Sequence, residues 1–191
     1  ILPTELNYRA NIYAMKKLGV EQLVSISAVG SFKKELKPLD IVLPDQFVDR
    51  TNQSRKTTFF GQGIVAHIGF ADPVCSELRK IIYDAGRKLK LTIHDKGVYL
   101  NMEGPAFSTR AESHLYKSWG MDIIGMTNMP EARLAREAEM CFATIAMVTD
   151  YDCWYEEDVS IEMVVGNLLK NVDTVKGLIK EMLPQLSKER K

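Results

Sequence analysis

Residues 121–152 read MDIIGMTNMPEARLAREAEMCFATIAMVTDYD. Two apolar runs, Met121 to Met126 and Phe142 to Thr149, are rich in the branched and aromatic residues that favour strands. Between them, Asn128-Met129-Pro130-Glu131 starts a helix that runs through Met140, with proline tolerated in a first turn that has no amide partner to lose. Two strands joined by a helix of this length form the repeating unit of a parallel sheet.

The same alternation continues outward. Ser160 caps a long helix to about Leu183, whose apolar positions, from Ile161, Val164 and Val165 through Leu168 to Met182, recur at helical spacing. Thr109 and Glu112 form a capping box for a helix ending before Gly120, because the hydroxyl and carboxylate satisfy free amides of the first turn. Leu91 to Glu103 reads as extended with a bend at Lys96-Gly97. Asp72-Pro73 opens a helix to Leu89, and Asp40–Leu43 and Val65–Phe70 read as short extended pieces. Arg50 to Gly63 is polar and reads as a mobile surface loop. Leu23 to Ala28 is a strand ending at Gly30-Ser31, and Thr4 caps a helix to Leu18 stopped by Gly19. No repeat or linker interrupts the series. The fold class is therefore α/β, with a mixed, largely parallel central sheet flanked by helices on both faces, in a single domain over residues 1–191.

Lys+Arg and Asp+Glu are 25 each, so the net charge is zero, which argues against nucleic acid or an anionic membrane as partner. No apolar run approaches the roughly 18 residues of a membrane span. Ile1–Thr4 shows no charged leader. Cys75, Cys141 and Cys153 lack metal-ligand spacing, and the reading is three free thiols in a reducing cytoplasm. Lys188 to Lys191 reads as a solvated tail.

In sheets of this kind ligands sit beyond the carboxyl ends of the strands. Four small polar clusters occupy such ends: Ser25–Ser31, Glu103–Ser108, Met126–Asn128 and Thr149–Asp152. Ser27 with the Gly30 turn suits an anion such as phosphate, or is an ordinary turn. Thr127 lies at a helix start, where free amides favour an anion, or serves as a second cap. Asp150 and Asp152 stand at i, i+2, so both point to one side of an extended chain. Held close in a dry pocket they would not ionise together, leaving one as proton donor and one as acceptor; alternatively they are solvated turn residues. Phe107 beside Ser108 offers a stacking ring and a hydroxyl, or a core ring. Glu103, Arg110 and Glu112 could form an acid–base set, although the capping box accounts for Glu112.

Four stretches together, Asn7–Asn11, Asp45–Thr51, Glu103–Ser113 and Ala146–Trp154, resemble the methylthioadenosine phosphorylase branch of the purine nucleoside phosphorylases, in order and from the first residue to about Leu183. The resemblance implies that Ser27 and Ala28 contact phosphate, with Thr127 as a second phosphate hydroxyl. It places Met126 against the ribose, Phe107 and Ser108 beside the purine, and Asp150 and Asp152 on its N7 and 6-amino edge. Asp150 is the catalytic residue it implies. Ile161, Val164 and Val165 would wall the 5′ pocket, with His67 approaching from a neighbouring subunit of a homotrimer or hexamer.

The reaction so implied is phosphorolysis of 5′-methylthioadenosine, with phosphate as co-substrate and neither metal nor organic cofactor. The family's opening strand, glycine-rich phosphate turn and Arg-His pair all precede residue 1, so the expected domain lacks that phosphate-binding segment. Two other readings stay open at this point: a purine nucleoside phosphorylase of different or broader range, and a non-catalytic nucleoside-binding module.

Overall fold

A computed structural model describes residues 1–52, 54–156 and 159–186; the Lys188–Lys191 tail lies outside them. At its centre is strand β1 (Gln22–Ser31), beside β7 (Cys141–Tyr151). Around this pair stand β2 (Ile41–Val42), β3 (Gln46–Arg50), β4 (Ile93–His94), β5 (Val98–Met102) and β6 (Ile123–Gly125). The seven strands lie in the order β3-β5-β6-β1-β7-β2-β4. Four neighbouring pairs are parallel and two, β1 with β6 and β2 with β7, are antiparallel.

Strict alternation along β7 gives the sheet two apolar faces. Ala143, Ile145 and Met147 pack under α2 (Ser76–Lys88) and α5 (Ile161–Leu186). Phe142, on the opposite face, meets α1 (Tyr8–Lys17) and α4 (Asn128–Glu137). A smaller cluster of Phe32, Leu100, Tyr116 and Ile124 seats α3 (Arg110–Ser118), whose Thr109–Glu112 capping box is formed. Ser160 caps α5, accepting from the Met163 amide at 3.1 Å. Among the described residues no helix is long and apolar enough to cross a membrane.

Several expectations need correcting. Cys75 and Cys141 are not free thiols but a disulfide: the Cys75 amide donates to the Phe142 carbonyl, which brings the start of α2 onto the start of β7. Cys153 alone is free. Val65–Phe70 forms no strand and leaves Ile64 and Val65 exposed. The strand on that side is β3, whose half-polar Gln46–Arg50 gave little apolar signal. Neither Thr4 nor Asp72 caps a helix. Thr4 sits in a 3-10 turn and α1 begins after Asn7, while α2 begins after Cys75.

Arg50–Gly63 is not simply a surface loop, because Arg55 inside it is buried against the sheet. On α5, Ile161, Val165 and Leu169 face outward. The buried stripe is Asn171, Val175, Leu178 and Met182, and the helix continues through Pro184.

Candidate active site

Pairing of β1 with β6 stops at Gly30↔Ile124. Beyond that point the strands part, and a cavity of about 350 Å³ opens between Ile26–Gly30 and Ile124–Thr127. The end of β7 closes one side with Thr149, Asp150 and Asp152, and Pro3, Met102, Phe107 and Val164 complete the wall. A wider hollow of about 770 Å³ lies by the disulfide and contains none of the predicted groups.

A bulge in β7 shapes the acidic wall. Val29 pairs with Val148 but Gly30 pairs with Asp150, so Thr149 is an extra residue. Its loosened backbone is held from α5. Asn167 donates to the Thr149 carbonyl at 2.7 Å, and Asn171 donates to that of Val148 at 3.2 Å. These two amides explain polar residues on the inner side of an otherwise apolar helix. The Thr149 hydroxyl donates to Asp150 Oδ1 at 2.6 Å. Opposite, Gly30 gives the carboxyl room: a Cβ there would stand 3.0 Å from Asp150 Oδ2.

Asp150 and Asp152 are only 5% and 4% exposed. Burial disfavours the charged form and pushes Asp150 up to about 6, with the neighbouring Asp152 adding repulsion and the Thr149 hydroxyl opposing. Asp152 is also raised by burial, against hydrogen bonds from Ser113, the Cys153 backbone and Ser108. Its Oδ2 has no hydrogen-bond partner among the described residues. A buried carboxyl oxygen left unpaired costs free energy until a donor arrives. The wall therefore sets an acid that gains and loses its proton near neutrality beside a vacant acceptor, the complement of a ring nitrogen beside an amino group.

At the other end stand Ser27, the Ala28 backbone and Thr127. Ser27 Oγ lies 2.9 Å from the phenol oxygen of Tyr99. Gly30, expected in a turn, is within β1. Phe107 is 45% exposed at the cavity mouth, placed to cover a flat ring. Ser108 is outside the lining but bonds Asp152. Met126 and Val164 line the cavity.

Ile161 and Val165 do not: they are 67% and 46% exposed, because the α5 turn that points Val164 inward turns them out. His67 is exposed and outside the cavity of its own chain. Glu103, Arg110 and Glu112 make no acid–base set. Glu103 pairs with Arg55, Arg110 donates to the Cys153 carbonyl, and Glu112 completes the capping box. Among the described residues no three His, Cys, Asp or Glu side chains cluster as for a metal.

Three contributors escaped the sequence reading. Thr149 ends an apolar run in the sequence, and its role depends on the bulge. Tyr99 lies in the extended run Leu91–Glu103, where nothing in the sequence sets its hydroxyl apart. Arg55 sits in a polar loop with nothing in its neighbours to mark it. Its guanidinium donates to the Met126 and Met129 carbonyls, both at 2.6 Å, and so fixes the turn bearing Thr127.

The chain is similar to known proteins over its whole length. The model of the phosphorylase superfamily matches residues 1–184. S-methyl-5′-thioadenosine phosphorylase of Geobacter sulfurreducens is 56% identical over all of this chain and 67% of its own length. A methylthioadenosine phosphorylase structure from an Antarctic soil metagenomic library is 50% identical, with a TM-score of 0.94 over 100% of this chain and 68% of that one. The Schistosoma mansoni methylthioadenosine phosphorylase, solved with adenine, is 36% identical, with a TM-score of 0.95 over 98% of this chain and 73% of that one. The chain thus spans about two thirds of the length of the curated relatives it matches (67% and 65% for two of them).

Proposed function

The chain belongs to the phosphorylase superfamily and, within it, to the methylthioadenosine phosphorylases, and from that membership we propose that it takes part in phosphorolysis of 5′-methylthioadenosine to adenine and 5-methylthioribose 1-phosphate. The observation that carries this reading is the pair of buried carboxyls, Asp150 and Asp152, facing a cavity whose opposite end presents the Ser27 and Thr127 hydroxyls.

In this reading the purine lies under Phe107 with its N7 toward Asp150 and its 6-amino group donating to Asp152. As the C1′–N9 bond breaks, its electron pair goes to the purine and the sugar becomes an oxocarbenium ion. Asp150, raised to about 6 by burial, takes up a proton readily near neutral pH and passes it to N7 or shares it there, which makes adenine a better leaving group. A phosphate oxygen held by Ser27, Ala28 and Thr127 stabilises the cationic sugar and then bonds to C1′. Met126 lies along the ribose.

Val164 supplies the apolar wall at the 5′ position, where an unpartnered hydroxyl would lose a few kcal/mol on burial and a methylthio group would not. Phosphate is a co-substrate, and the step calls on neither a metal nor an organic cofactor.

The same reading includes a homotrimer or a dimer of trimers acting in the cytoplasm, as a purine and methionine salvage enzyme. The exposed apolar residues Phe60, Ile64, Val65 and Ile68 around His67 support burial of that segment against another subunit.

The test is release of free adenine from methylthioadenosine by the full-length protein. Adenine appearing only with phosphate, together with a sugar phosphate, is the expected result. Release without phosphate would make it a hydrolase, and binding without release would make it a nucleoside-binding module.

A further inference from the structure

The strands that part to form the cavity are tied together at one point by a residue that does not line it. Continuing the β1–β6 register past Gly30↔Ile124 would set Thr127 opposite Ser27, and it is here that Tyr99 of β5 reaches across. Its side chain is fully buried and its ring packs on Phe47 at 5.6 Å between centroids. The phenol oxygen lies 2.9 Å from Ser27 Oγ, and the backbone and side chain of Thr127 act on the same phenol, opposing the effect of its burial. Gly125 makes the space, since a Cβ at that position would overlap the phenol oxygen.

We propose that Tyr99 is a positioning residue for the phosphate end of the site, its phenol fixing the Ser27 and Thr127 hydroxyls so that both turn their protons to an incoming oxyanion. The proposal rests on the phosphorolysis reading above.

Proton bookkeeping gives the direction. The phenol oxygen has Ser27 Oγ at 2.9 Å. The phenol's own proton then has Ser27 Oγ as its partner, and burial holds that phenol up near 12, so it stays a donor across the working pH range. With Ser27 accepting from Tyr99, the serine proton is left with only the Ala28 carbonyl at 3.4 Å, a long contact that a phosphate oxygen easily displaces. The Thr127 hydroxyl, leaning on a neutral phenol, likewise exchanges it for a charged acceptor, which binds a proton donor about twice as strongly. Tyr99 thus acts through its two partners without touching the ion.

Tyr99→Phe keeps the ring and removes only the hydroxyl. In steady-state kinetics of the full-length protein, the expected result is a KM for phosphate raised about tenfold. The nucleoside KM and the kcat at saturating phosphate should stay within about threefold. A packing role alone would lower the melting temperature and move both KM values together or neither.

The penalty should shrink at least threefold when Tyr99→Phe is made in a Ser27→Ala background, because part of its route is then already gone. Gly125→Ala, which crowds the same oxygen while keeping it, should give the same phosphate-selective loss and serves if the phenylalanine variant does not fold. An unchanged phosphate KM in a folded variant, or equal losses for both substrates, overturns the proposal while leaving phosphorolysis intact. A wild-type protein that releases no adenine with phosphate overturns both.

Discussion

Arg55 and Glu103 form an ion pair at 2.9 Å, with the arginine side chain fully buried and the carboxylate partly so. The pair joins the loop after β3 to the end of β5. The terminal nitrogens of the guanidinium donate to the carbonyls of Glu103, Met126 and Met129 and to the Tyr8 phenol. The turn that carries Thr127 is therefore held by a residue distant in sequence and outside the cavity lining.

Replacing Arg55 with alanine would strand a carboxylate and three backbone carbonyls. Loss of one partner of a buried pair costs about 3–5 kcal/mol. Chemical denaturation of Arg55→Ala should show a loss of that order, with Arg55→Lys recovering only part of it because an ammonium cannot span the same acceptors. A loss below about 1 kcal/mol would mean that the network is not load-sharing as described.

Asp150→Asn retains the shape of the acid but cannot deliver a proton. Adenine nucleosides should lose about 100-fold or more in kcat/KM, the usual scale for a positioned acid. Inosine, whose 6-oxo edge offers no amino donor, should lose much less. Equal losses for the two would count against a base-reading role.

Stability should respond to pH through the same residue. A carboxyl held at about 6 when folded, against 3.8 ordinarily, binds its proton more tightly in the folded state. Folding stability is then highest below the unfolded value, falls as pH rises between about 4 and 6, and stays lower above that. The loss is on the order of 3 kcal/mol. Asp150→Asn should accordingly be more stable than wild type at pH 7–8, with the gap closing toward pH 4. Denaturant midpoints across that range provide the check, and a gap independent of pH would contradict the account.

How much of this was legible beforehand follows the physics of each signal. Long apolar strands such as Phe142–Thr149 and a capping box such as Thr109–Glu112 are local, and residue types alone reveal them. The i, i+2 spacing of Asp150 and Asp152 was also visible, as were Ser27 and Thr127 at strand ends. The bulge at Thr149 was not, because it arises from pairing with Val29 and Gly30, over a hundred residues earlier. β3 is half polar and Arg55 lies in a polar loop, so their burial is set by the sheet beside them. Ile161, Val164 and Val165 share a helical pattern, and only tertiary packing decides that Val164 alone turns to the cavity.

The disulfide was missed for a similar reason, since its cysteines are 66 residues apart. Closing a loop of that length restricts the unfolded chain by about 4 kcal/mol in the chain-entropy account. Cys75→Ser or reduction should lower the denaturation midpoint measurably. It should leave both substrate KM values unchanged, because Cys141 stands at the opposite end of β7 from Asp150, about 30 Å away at strand rise. An altered KM would show coupling that the fold does not predict.

The most direct measurement is a crystal structure of the protein with adenine bound. The base should lie beneath Phe107, its N7 within hydrogen-bond distance of Asp150 and its 6-amino group donating to the unpartnered oxygen of Asp152. Adenine bound elsewhere, with both carboxyls facing only water, would contradict the account.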